Sequence, residues 1–190
     1  IRLSVTRKTG GFYRPSTNET DILLEASPLP TSGFSLNEKG LSIGICDKVK
    51  RQQHRLSNFK TSNCLIPVLA SAWSSEHGFD DCIVLNDSNR LAEASSANVF
   101  LVNGDGRMMT PALEEGCVAG TMRETIIEVL AANGYQLSEG QIEVADLKKA
   151  KEVFFTNAIN GIKWASNLSE KEYSNETAFQ LMELLKKAKK

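Results

Sequence analysis

A chain of 190 residues suits one domain, or one domain and part of another, and an apolar share of 41% is enough for a packed core. With 22 basic against 23 acidic side chains the net charge is −1, which leaves no electrostatic footprint for nucleic acid or a membrane surface. Four widely spaced cysteines (Cys46, Cys64, Cys82, Cys117) without a C-x-x-C pair, two histidines, no bilayer-length apolar run and no signal-peptide pattern point away from metal sites, disulfide frameworks and export, and towards a reducing, cytoplasmic setting.

Residues 1–6 alternate as a strand already under way, so residues are expected to precede them, and Gly10-Gly11 with Pro15 turn the chain. Residues 22–26 and 41–46 are short strand-type runs on either side of a Pro/Ser/Gly-rich loop over 27–35. Residues 48–55 are basic and polar and read as a solvated connector. From Asn63 the period changes: Leu65, Val68, Leu69, Ala72 and Trp73 recur at helical spacing, with Gly78 as the stop. A strand over 82–85, a turn over 86–89 and a strand over 98–102 follow, and Asn103-Gly104-Asp105-Gly106 is a hairpin turn into a strand over 107–110. Gly120-Thr121 opens a helix whose buried side carries Ile126, Ile127, Leu130 and Ala131, closed by Asn133-Gly134. A short strand is expected over 141–144, then a brief helix capped by Asp146 and ending at Ala150, and a buried strand over 153–155. The last helix runs from Glu176 to the end, with Phe179, Met182 and Leu185 on one face and Lys186, Lys187, Lys189 and Lys190 at the negative end of its dipole.

Four pieces could carry chemistry. Glu93 is an acid between apolar Leu91-Ala92 and the small residues Ala94, Ser95, Ser96 and Ala97; if buried it needs a partner, either an arginine (Arg90 or Arg123) or a cationic ligand. Lys60 follows apolar Phe59; in a desolvating pocket its neutral amine could attack a carbonyl, and on an ordinary surface it is a plain charge. Gly116-Cys117-Val118-Ala119-Gly120-Thr121-Met122-Arg123 runs from a small-residue loop into a helix, where free N–H groups could seat a phosphate or Thr121 could cap a tight turn. Thr156-Asn157-Ala158, directly after a buried strand, is a second donor cluster or a turn that satisfies its own backbone.

In this order, Phe59-Lys60-Thr61-Ser62-Asn63-Cys64-Leu65, Glu93-Ala94-Ser95-Ser96-Ala97-Asn98-Val99-Phe100, Thr110-Pro111 with Gly120-Thr121-Met122-Arg123, and Phe155-Thr156-Asn157-Ala158 resemble the motifs of the class IV aminotransferases, the fold-type IV pyridoxal phosphate enzymes. That family includes branched-chain and D-amino acid aminotransferases and aminodeoxychorismate lyase, and the resemblance runs from Ile1 to about Ser166. It implies an α+β (mixed α/β) fold, a barrel-like mixed sheet with surrounding helices. Residues 1–58 would be the end of an N-terminal region, a connector and the first strands; residues 59–190 would be the cofactor-binding large domain. By the same likeness Lys60 is the Schiff-base lysine and proton shuttle, and Glu93 holds the pyridine nitrogen. Thr121, Met122, Asn157 and Ala158 bind the phosphate, Val118 lies against the ring, and the protein is a homodimer with the site near its interface.

The implied reaction is transamination between an amino acid, branched-chain among the options, and a 2-oxo acid. The alternatives are elimination to 4-aminobenzoate and pyruvate, or a non-catalytic relative or fragment acting as a binding module. Residues 61–64 lack the glycine pair and tyrosine of branched-chain enzymes and stand nearer the D-amino acid and lyase branches; Met122 and Asn157-Ala158 also lean to the lyase. The substrate-carboxylate arginine of the D-amino acid branch falls near Phe12, with Arg14 as a substitute two residues on. The family's phosphate-binding arginine belongs to a smaller N-terminal domain that nothing before Ile1 supplies, so the chain is expected to be a fragment or to lack that part.

Overall fold

The computed structural model describes residues 1–29 and 33–188. It divides into two units, Ile1–Gly33 and Phe34–Lys190. In the first, β1 (Arg2–Arg7) and β2 (Thr20–Glu25) form an antiparallel hairpin. Leu3 faces Leu24 and Val5 faces Ile22, so period-two alternation gathers these four on one side of the hairpin, where all are exposed. Residues 30–32 of the loop expected over 27–35 lie outside the described residues, as do Lys189 and Lys190.

The second unit contains β3 (Leu41–Arg51), α1 (Leu65–Glu76), β4 (Asp81–Asn86), β5 (Leu91–Ala94), β6 (Asn98–Val102), β7 (Met108–Pro111), α2 (Thr121–Ala132), β8 (Leu137–Gly140), α3 (Val144–Lys149), β9 (Glu152–Asn157), β10 (Gly161–Leu168), β11 (Lys171–Glu172) and α4 (Glu176–Ala188). The strands make one mixed sheet in the order β5-β4-β3-β10-β9-β6-β7-β8, with β11 beside β10. Its parallel pairs are β3/β4, β3/β10 and β7/β8. Edge strand β5 returns to β6 through the tight turn 95–97, closed by the Ala94 N–H donating to Ala97 O at 2.8 Å, although β6 lies far along the strand order. A flat sheet could not make that connection; the sheet curls. This agrees with the α+β, barrel-like expectation.

Both faces of the curled sheet are covered, which is why β6 and β9 read as continuous apolar runs. Alternation sorts their side chains: Val99, Leu101, Val153 and Phe155 pack with Ile43, Ile83 and Leu91 in one cluster. Phe100, Val102 and Phe154 face the other way, onto Ile126 and Leu130 of α2 and Leu181, Met182 and Leu185 of α4. The Phe100 and Phe154 rings stack at 5.1 Å.

Several expectations are corrected by this packing. The connector over 48–55 is a strand as far as Arg51, because β3 continues past Cys46 to pair Arg51 with Asn86. β5 and β10 were not anticipated. The strand expected over 141–144 lies earlier, in β8, while Val144 starts α3; its N-cap is Glu143, and Asp146 is three residues in, accepting the Glu143 N–H at 2.9 Å. On α2, Ala131 is exposed and Met122 and Arg123 are buried. On α4, Phe179 is exposed and Ala178 and Leu181 join Met182 and Leu185 inside. On α1, Leu65, Val68, Leu69 and Ala72 face outward; of the expected set Trp73 packs on the sheet, joined by Ile66, Ala70 and Ser74. Among the described residues no helix is long and apolar enough to cross a membrane.

One buried acid anchors α4. Glu152, 1% exposed at the start of β9, accepts the Thr177 N–H, the Thr177 hydroxyl and the Ala178 N–H at 2.9–3.2 Å, which serves the open donors of the helix's first turn with a negative charge. Glu152→Ala strands those donors in the interior and is expected to cost about 2 kcal/mol of unfolding free energy, read by urea denaturation.

Candidate active site

Lys60, Glu93, Val118, Thr121, Met122, Asn157 and Ala158 line one cavity of about 260 Å³. Five separate stretches supply it: Lys60 in the loop before α1, Pro67 of α1, strand β5 with residues 95–98, residues 118–122 leading into α2, and residues 156–158 at the end of β9. The small side chains of Ser95, Ser96 and Ala97 keep its wall low.

Glu93 is the buried acid, 6% exposed. Its Oε1 lies 3.0 Å from Arg51 Nε and its Oε2 accepts the Val118 N–H at 2.9 Å. The partners named from the sequence are engaged elsewhere: Arg90 grips Glu115 with two bonds of 2.7 and 3.0 Å, and Arg123 bonds Glu139 at 2.6 Å and Pro111 O at 2.9 Å. Burial raises the Glu93 carboxyl above its ordinary range, opposed by Arg51, then by the Val118 N–H, then by the Lys60 charge. Lys60 itself lines the cavity and is exposed, the second of the two settings its local sequence left open.

Arg51 is the residue that sequence reasoning missed. It is 8% exposed and also donates to Gly116 O at 3.1 Å and to Ser57 O at 2.7 Å. One guanidinium therefore ties the acid to the loop that carries Lys60 and to the loop that leads into α2. Asn58 repeats the stitch, donating to Leu113 O and Cys117 O at 2.8 Å each. The available signal was the sequence's own requirement that Glu93 have a buried cation; the error lay in treating the basic run as solvated.

Comparison with known proteins adds a family. The model for amino-transferase class IV matches residues 1–166. The chain belongs to the class IV aminotransferases. Aminodeoxychorismate lyase of Vibrio harveyi is 31% identical over 174 residues, covering 90% of this chain and 64% of that protein. Among solved structures, the branched-chain aminotransferase of Thermoproteus uzoniensis superposes with a TM-score of 0.75 at 25% identity, over 88% of this chain and 55% of its own. The branched-chain enzyme of Thermobaculum terrenum, solved in PLP-form, shares the fold with a TM-score of 0.83 at 18% identity, over 98% of this chain and 64% of its own. The chain thus spans less than two thirds of the length of these relatives.

The residues at the mouth of α2 leave backbone donors open beside the cavity. The N-cap of α2 is Gly120, not Thr121, and among the described residues no side chain caps the helix, which leaves the backbone N–H groups of Thr121 and Met122 beside the cavity. Gly120 is held by its N–H to Val118 O at 2.9 Å, and a Cβ there would run into Asn98 Oδ1. Asn98 in turn donates to Val118 O at 2.7 Å, fixing the loop that reaches Glu93. Opposite, Asn157 Oδ1 accepts the Ile159 and Asn160 N–H groups at 3.1 and 2.8 Å, so this residue both shapes its own turn and lines the cavity. Gly120→Ala is expected to displace Asn98 and the first turn of α2, weakening phosphate-ester binding by about ten-fold with little change in fold, as measured by equilibrium titration. Arg14 belongs to the first unit, in the exposed loop that joins β1 to β2.

Proposed function

We propose that the protein catalyses pyridoxal phosphate-dependent transamination between an amino acid and a 2-oxo acid. The observation that carries this reading is that Lys60 and Glu93, 33 positions apart in the sequence, line one cavity whose other end is the open N-terminus of α2. The residues fit the group: an amine, an acid backed by a buried arginine, and a glycine-lined anion seat stand in one cleft. When bound, pyridoxal phosphate supplies an electron sink for the pair left at the substrate's Cα.

In this reading Lys60 holds the cofactor and carries the proton at Cα. Glu93 holds a proton on the ring nitrogen, with Arg51 and the Val118 N–H favouring its charged form against the burial that raises its carboxyl. The backbone of Thr121 and Met122, with Asn157 and Ala158, binds the phosphate, and Val118 lies against the ring. The protein with cofactor should show a visible absorbance band that borohydride removes, with one added phosphopyridoxyl mass on the peptide containing Lys60; a band that borohydride leaves, or mass on another lysine, sinks the assignment.

The likeness to the Vibrio harveyi lyase over 90% of the chain supports a second reading, elimination to 4-aminobenzoate and pyruvate. Ping-pong amino transfer and pyruvate release are separate assays and decide between the two. We further infer a homodimer. Leu65, Val68, Leu69 and Ala72 form an exposed apolar stripe at i, i+3, i+4, i+7 on α1, beside exposed Leu56 and Phe59, and a paired copy would bury it.

A further inference from the structure

A cavity of about 530 Å³ lies within the second unit and shares no lining residue with the candidate active site. That size suits a small organic molecule. Its half-buried lining is aromatic, Trp73 of α1 and Phe79 just beyond that helix, and its exposed lining carries two cations, Lys148 of α3 and Lys171 of β11. Among the described residues no acidic side chain lines it.

Both halves are built into the fold. Trp73 and Phe79 stack at 5.8 Å with an interplanar angle of 14°, and His77 stacks on Trp73 at 4.3 Å. Gly44 of β3 makes room for the pair. A Cβ there would stand 2.7 Å from Phe79 and 2.8 Å from Trp73, so bare backbone is what lets the two rings approach the strand. On the cationic side, buried Tyr173 serves both lysines. Its hydroxyl donates to Leu147 O at 3.0 Å, one residue before Lys148, and Lys171 Nζ sits 5.6 Å from the centroid of its ring. Neither lysine has an ion pair within 4.0 Å among the described residues.

We propose that this cavity is a second binding site, for a small planar aromatic anion. The flat ring packs against Trp73 and Phe79, and the anionic group answers the charges of Lys148 and Lys171. Neither half selects this class alone: the rings accept any flat apolar group and the lysines accept any anion. Recognition lies in their pairing within one cavity. The inference is independent of the cofactor reading, because no residue of that site takes part in it.

The test is equilibrium dialysis of the protein against three probes: benzoate, benzamide (the ring without the charge) and cyclohexanecarboxylate (the charge without the aromatic face). Benzoate is expected to bind about ten-fold more tightly than either of the others, and less tightly as salt rises. The double variant Lys148→Gln, Lys171→Gln should bind benzoate about ten-fold more weakly, with the salt dependence gone. It changes only exposed side chains, so its fold is kept and its result stands by itself. Phe79→Leu should weaken benzoate while leaving cyclohexanecarboxylate unchanged. Benzoate binding that survives the double variant places the ligand elsewhere and overturns the proposal. Equal affinity for the three probes, or no measurable binding of benzoate, overturns it as well.

Discussion

In the proposed reading, Lys60→Ala is expected to lower amino transfer by roughly 10³-fold or more while leaving the folded state in place, because that reading makes Lys60 both proton carrier and covalent attachment point. Stability should stay within about 0.5 kcal/mol of the parent protein, since Lys60 is exposed and makes no ion pair among the described residues. Lys60→Arg should fail equally: it keeps the charge that faces Glu93, but guanidinium is neither a nucleophile nor a base near neutral pH. The visible band should be absent from both variants, and an added small primary amine should restore part of the rate to the alanine variant but not to the arginine one. Full activity in Lys60→Ala would remove this residue from the chemistry.

Arg51→Met should be the most destabilising change at the site, by about 3–5 kcal/mol at neutral pH, because it keeps the apolar stem and strands the Glu93 carboxylate in the interior. The pair is well shielded, with 10% and 8% of the two side chains exposed. The pH dependence carries a sign that a simple packing defect would not have. Glu93 already has its carboxyl raised above the ordinary 4.5, and removing Arg51 deletes the largest influence opposing that rise. A carboxyl raised in the folded state binds more protons folded than unfolded above pH 4.5, so the stability of the variant must fall as pH climbs from there through the raised value. The deficit relative to the parent should therefore be smallest in acid and largest near neutrality. A deficit that is flat with pH would mean that Arg51 acts through its bonds to Gly116 and Ser57 alone.

The residues of the site were legible because each chemical role requires a distinctive side chain in a distinctive local setting. An acid flanked by Leu91, Ala92 and Ala94 cannot be a casual surface charge, and a glycine-bearing loop that breaks into a helix at Thr121 exposes donors wherever the helix sits. The helical and strand periods of α2, β6 and β9 were legible for the same local reason: period and punctuation are written within a dozen residues.

Arg51 was not legible, because a run of Lys48, Lys50 and Arg51 reads as solvated until the curled sheet brings β5 against β3's neighbour and folds the loop 116–120 over the guanidinium. The outward apolar face of α1 misled in the opposite sense, since periodicity reports a stripe without saying whether sheet, solvent or another molecule meets it.

From the chain alone came the family and the four short motifs whose residues the fold brings to one cavity, all of them short-range patterns. Which cation holds Glu93 and which face of α1 packs were decided by tertiary structure. Those are matters of strand order and curl, set by contacts between residues far apart in sequence, and no local window of sequence contains them.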